Sequence, residues 1–238
     1  WRRCEQKGFP VTMHLGDPGH WWRPGRDGKP AAYDETYLTL GCQREEVEEI
    51  LERFPGLNLL LCHFYFIADD LEGARAFMER HQNALLDITP GGEMYYHFSQ
   101  RADEWRDFFR QYQKRILFGS DTDNWAVPDT PDGYDAWFRY PFKLVKDSLE
   151  SSTPFVDHDW GTLNPVNPGE EALGNIYRDN FIRRMGDPAQ VDLRALNREA
   201  QMLLDTYYRE YEPRKGDEKR WRCDRQNVME IAAATGKQ

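Results

Sequence analysis

"RILFGSDT", residues 115–122, decides the fold. Ile116 to Gly119 are apolar or small, and they run straight into Ser120 and Asp121. Such a run reads as a short buried strand. A carboxylate at its end is costly to bury unless it is paired, hydrogen-bonded or bound to a metal. Three earlier stretches share the form. "PVTMHL" (10–15) carries His14 near its end, "LNLLLCHFYF" (57–66) is a continuous apolar run around His63, and "NALLDITPGG" (83–92) ends on Asp87 and Thr89. Between them lie amphipathic segments. Val47, Ile50 and Leu51 recur on a charged background in 43–53; Leu71, Ala74, Phe77 and Met78 mark 69–82; Trp105, Phe108, Phe109 and Tyr112 mark 101–113. Continuous apolar strands alternating with such helices predict an α/β fold with a parallel sheet, strands near 10–15, 58–64, 84–89 and 115–120. Ligands of such sheets bind at the carboxyl ends of the strands, where His14, His63 and Asp121 would meet.

The composition narrows the function. With 238 residues the chain can bury a sizeable core. A net charge of −10 argues against nucleic acid or an anionic membrane as partner. No apolar run approaches a membrane span, and no secretory leader is visible. Cys4, Cys42, Cys62 and Cys223 form no close-spaced pair, which favours a reduced, cytoplasmic protein over a zinc finger. The expected partner is a small-molecule substrate.

The segments after the strands carry the recognition candidates. "DPGHWWRPGRDG" supplies Trp22 and Arg23, "GGEMYYHF" supplies Glu93 and Tyr95, and an aromatic loop after Asp121 supplies Trp125. Rings with an arginine suit an organic ligand of carboxylate or sugar character; equally, they pack long loops. His14 and His63 admit two readings, site residue or satisfied buried histidine, and Asp121 admits site residue or turn cap. His20 and His97 follow strand ends and are candidates for substrate contact. Residues 122–171 read as a long irregular insertion, 189–211 as a helix, and 212–225 as a mixed-charge tail.

"PVTMHLGDP", "NLLLCHFYF", "LLDITPGG" and "RILFGSDT", in this order and at these spacings, resemble the second half of the amidohydrolase-related metal-dependent hydrolases. "GNIYRDNFIRRMG" (174–186) is similar to the closing helix of that family. The resemblance implies a TIM-barrel-like (β/α)8 fold to which this chain supplies about strands 5–8, with a barrel portion at 1–188 and a helical extension at 189–238. It implies His14 and Asp121 as ligands of a divalent metal, zinc or manganese, with Asp121 and His63 as catalytic groups. The implied reaction is hydrolysis of a lactone, amide or ester. A non-oxidative decarboxylase on the same scaffold, or a non-catalytic barrel fragment that binds a ligand or partner, are the alternatives. The family's His-x-His pair is absent from the sequence. A homo-oligomeric copy or a missing N-terminal half is therefore expected to complete the site.

Overall fold

Leu59, Leu61, Ala84, Leu86 and Ile116 are fully buried, and these apolar runs set the sheet. In this computed structural model, which describes residues 1–24, 30–122, 131–187, 190–210, 212–213 and 218–236, the chain divides into two compact units, Trp1–Asp187 and Pro188–Gln238. In the first unit, β1 (Val11–Met13), β2 (Leu59–Leu61), β3 (Ala84–Asp87) and β4 (Ile116–Leu117) form a sheet in the order β1-β2-β3-β4. Every pair is parallel. The register aligns Val11 with Leu59 and Ala84, and Leu86 with Ile116. No closed barrel forms among the described residues.

The strands are shorter than the sequence suggests because the residues after them leave the ladder to build the site. Helices cover one face. A short helix, α1 (Arg2–Lys7), precedes β1. Thr39 caps α2 (Leu40–Arg53) through the amide of Cys42, and Asp70 caps α3 (Leu71–Arg80) through that of Gly73. Helix α5 (Ala102–Tyr112) buries Trp105, Phe108, Phe109 and Tyr112, and these rings join Phe64 and Phe98 in one aromatic cluster. On the opposite face Leu60, Leu85 and Leu117 pack together against Met185.

Several expectations are corrected. "GGEMYYHF" is not a loop: Gly92–Gln100 is a helix, α4, with Met94, Tyr95 and Phe98 buried at helical spacing. The segment 122–171 is not irregular throughout. It holds α6 (Pro131–Glu150), which buries Leu144, Val145 and Leu149, and a hairpin of β5 (Phe155–Asp157) with β6 (Gly161–Leu163). The closing helix is interrupted: α7 (Glu170–Gly174) and α8 (Asn180–Met185) flank a wider turn at Asn175–Asp179. In the second unit, α9 (Leu193–Asp205) and α10 (Tyr207–Glu210) are followed by α11 (Glu218–Thr235), so much of the expected tail is helical. Asn197 there bonds the Ala232 carbonyl at 2.8 Å. No helix of the described residues is long and apolar enough to cross a membrane.

Candidate active site

Three of the strand ends deliver the predicted side chains to one place. His14 follows β1, His63 follows β2 and Asp121 follows β4. The His14 and His63 rings lie 4.8 Å apart, edge to face. His63 Nε2 is 4.0 Å from Asp121 Oδ2. Phe66 backs both imidazoles, with ring centroids 5.2 Å from His63 and 5.5 Å from His14. The environments differ: the His63 side chain is 11% exposed and those of His14 and Asp121 are 52% and 60% exposed. His14 Nε2 donates to the Gly16 carbonyl at 2.8 Å and lies 3.9 Å from Asp17 Oδ1. Asp17 in turn accepts from the Tyr33 hydroxyl, a bond that, with burial, raises the tyrosine's pKa.

The backbone around His63 is unusual. His63, Phe64, Tyr65 and Phe66 all have φ between 51° and 56°, a left-handed turn built from four bulky residues. Each costs about 1–2 kcal/mol relative to the right-handed form, so the surroundings must hold it. Phe64 and Tyr65 do so by burial. Phe64 sits inside the aromatic cluster, and Tyr65 packs on Phe77 at 4.8 Å. At the start of the turn, Asp87 Oδ1 accepts from the amides of His63 (2.8 Å) and Thr89 (3.0 Å). Burial, then the charge and hydrogen bond of Asp87, push the Cys62 thiol up to about 12. Burial and the Asp87 carboxylate thus favour the neutral thiol.

A cavity of about 220 Å³ opens beside His63. Its walls include Arg23, Glu93, His20, His97 and Met94. Arg23 and Glu93 thus line one cavity with His20, His63 and His97. Trp22 and Tyr95 do not. The Trp22 ring packs on Tyr33 at 4.3 Å and fills space beside Gly16. Tyr95 is 1% exposed and its hydroxyl donates to the Ile88 carbonyl at 2.5 Å, so it is a core residue. Trp125 lies outside the described residues. A second, larger cavity of about 710 Å³ is walled by Asp121, Ala136, Trp137, Tyr140 and Pro141. Phe66 and Asp17 were not singled out from sequence. Neither carries a pattern that marks it, since a ring after an apolar run and an acid in a Gly-Asp-Pro turn are common as plain structure.

The two imidazoles and the carboxylate lie at the carboxyl ends of a parallel α/β sheet, the edge where ligands of such sheets bind. The model of the family described as Amidohydrolase matches residues 1–152, well over half the chain, and the chain belongs to that family. No curated protein and no solved structure matched the chain. The family implies a TIM-barrel fold and a divalent metal. The donor set suits such an ion in kind: imidazole and carboxylate are its usual ligands, and His63 Nδ1 is buried with no hydrogen-bond partner. His14 Nε2 is engaged with the Gly16 carbonyl, so this imidazole would have to turn off that bond to hold an ion, and its 52% exposed side chain leaves room to do so. Among the described residues the one set of three ligand atoms that lie within 4.8 Å of one another is not this one but Asp157, His158 and Asp159. Asp157 is spent on structure there: it accepts from the amides of Asp159 and Trp160 and from the Tyr140 hydroxyl, and so pins the β5–β6 turn.

Proposed function

We propose that this chain carries part of the active site of a metal-dependent hydrolase acting on a lactone, amide or ester, with β1 to β4 standing for strands 5 to 8 of a (β/α)8 barrel. The observation that supports it most is the approach of His63 to Asp121 beside His14, at the carboxyl ends of parallel strands in a family member. His14 and Asp121 would hold zinc or manganese, which when bound supplies a Lewis acid and lowers the pKa of water. Asp121, largely exposed and facing the larger cavity, takes the proton from the attacking water as general base. His63, held nearly buried with its ring backed by Phe66, donates a hydrogen bond to the oxygen on which charge develops. Arg23 and Glu93 orient the polar end of the substrate from the smaller cavity.

Calorimetric titration with zinc, together with turnover of lactone, anilide and ester panels in added zinc or manganese, tests this. Two protein ligands are fewer than the three that a catalytic zinc site usually has, so binding to this chain is expected to be weak. His14→Ala should abolish it, and Asp121→Asn should abolish turnover. His63→Ala should lower turnover about a hundredfold or more and metal binding less. Zinc binding that is equal in wild type, His14→Ala and Asp121→Asn would sink the reading.

A further inference from the structure

We infer that Asp87 is a positioning residue: its carboxylate fixes the His63 imidazole and, through Thr89, sets the distance from His63 to Asp121. The inference rests on the hydrolase reading of that pair. Strand β3 lies between β2 and β4 and sends no metal-ligand candidate to the site, yet its last residue is an acid that is 4% exposed. Asp87 is paired with no cation among the described residues. Its Oδ1 instead takes both available amides, that of His63 on β2's side and that of Thr89 on its own strand. The first of these is the amide that opens the left-handed turn. Without an acceptor there, a buried donor goes unsatisfied at the first of four residues held at positive φ, while the remaining bonds of the turn, Tyr65 N to Cys62 O and Arg44 Nη2 to Phe66 O, lie further along it. His63 is the first of the four, so relaxation of the turn swings its ring.

The second amide connects to Asp121. Thr89 packs so closely on Gly119 that a Cβ at residue 119 would collide with the Thr89 hydroxyl. Gly119 is two residues before Asp121, which itself sits at φ 49°. One carboxylate thus ties down the exits of three neighbouring strands: its own, the one that carries His63, and, by contact, the one that carries Asp121. The 4.0 Å approach of His63 to Asp121 spans β3, and Asp87 is the group placed to maintain it.

Diethylpyrocarbonate modification of each histidine, read by peptide mass spectrometry on the full chain, tests this without metal or substrate. His63 should be slow in wild type. Asp87→Ala should speed its modification about tenfold, the population shift that goes with one lost buried acceptor. Asp87→Asn, which keeps the accepting oxygen, should restore protection. His81, 2% exposed at the far end of α3, reports general loosening and should not change. If Asp87→Ala does not fold, Asp87→Ser replaces it. Unchanged His63 protection, or His63 and His81 rising together, overturns the inference. A second arm measures 4-nitrophenyl acetate hydrolysis with added zinc. Asp87→Ala should lower kcat in wild type and have no further effect on top of His63→Ala; additive losses count against the inference. Absence of hydrolysis in wild type overturns the hydrolase reading alone, and the modification arm still decides the role of Asp87.

Discussion

Cys62 and Phe64 flank His63, and each supports it by a different physical means. Cys62 is a half-buried thiol beside the Asp87 carboxylate, and the fold favours its neutral form. Its folded pKa lies above the ordinary 9.0, at about 12. The associated stability is therefore fully present below pH 9 and is lost as pH rises from there toward 12. Iodoacetamide at pH 8 should label the exposed Cys42 and Cys223 first and leave Cys62; labelling of Cys62 at the same rate would contradict this environment. Phe64 contacts Phe98, Trp105, Phe108 and Phe109 with ring centroids 4.9 to 5.8 Å away. Phe64→Ala removes the ring that holds the left-handed turn into the core. A loss of about 3–5 kcal/mol in urea unfolding is expected, with His63 more reactive as a consequence.

The strands were legible because parallel strands buried on both faces spell themselves as unbroken apolar runs, and "LNLLL", "NALL" and "RILF" do so. Three amphipathic helices followed from their spacing, and the convergence of His14, His63 and Asp121 followed from the rule about carboxyl ends. What stayed hidden has physical reasons. Helix α4 begins directly after the turn signal "TPGG", and its site-like aromatics, Tyr95 among them, are core. Helix α6 carries Pro141 in its interior, which costs a backbone bond and reads as a break. The turn at His63–Phe66 follows no local preference; buried rings, the Asp87 carboxylate and the Arg44 guanidinium on the Phe66 carbonyl impose it. Gly119 was equally silent, since its role is close approach to Thr89 across β3 and β4. Gly119→Ala should push these strand ends apart, cost about 1–3 kcal/mol by overpacking, and lower hydrolysis through the His63–Asp121 pair. Thermal unfolding and 4-nitrophenyl acetate turnover measure the two effects, and an alanine variant of wild-type stability would refute the contact.

The two edges of the sheet are treated differently, and that difference bears on assembly. β4 is blunted by the segment that follows α7: Phe118 donates to the Ile176 carbonyl at 2.9 Å, and Asn180 Nδ2 donates to the Ile116 carbonyl at 2.7 Å. Among the described residues β1 pairs with β2 alone. Val11 N bonds Asn58 O, and Cys62 N bonds Met13 O. The intervening Thr12 therefore turns its N–H and C=O away from β2, and its side chain is exposed. Such an edge is a template for a further strand, either from the barrel half that the family fold calls for or from a second copy. A net charge of −10 opposes self-pairing. Salt screens that repulsion, with a Debye length of about 3 Å at 1 M against about 30 Å at 0.01 M. The weight-average mass by light scattering should accordingly rise with protein concentration, and rise more steeply in 1 M than in 0.01 M sodium chloride. Thr12→Pro removes the outward N–H while leaving the β1–β2 bonds intact, a position where an edge strand tolerates proline. It should return the protein to monomer at high salt with its unfolding midpoint little changed. Association that persists in Thr12→Pro would place the contact elsewhere than on β1.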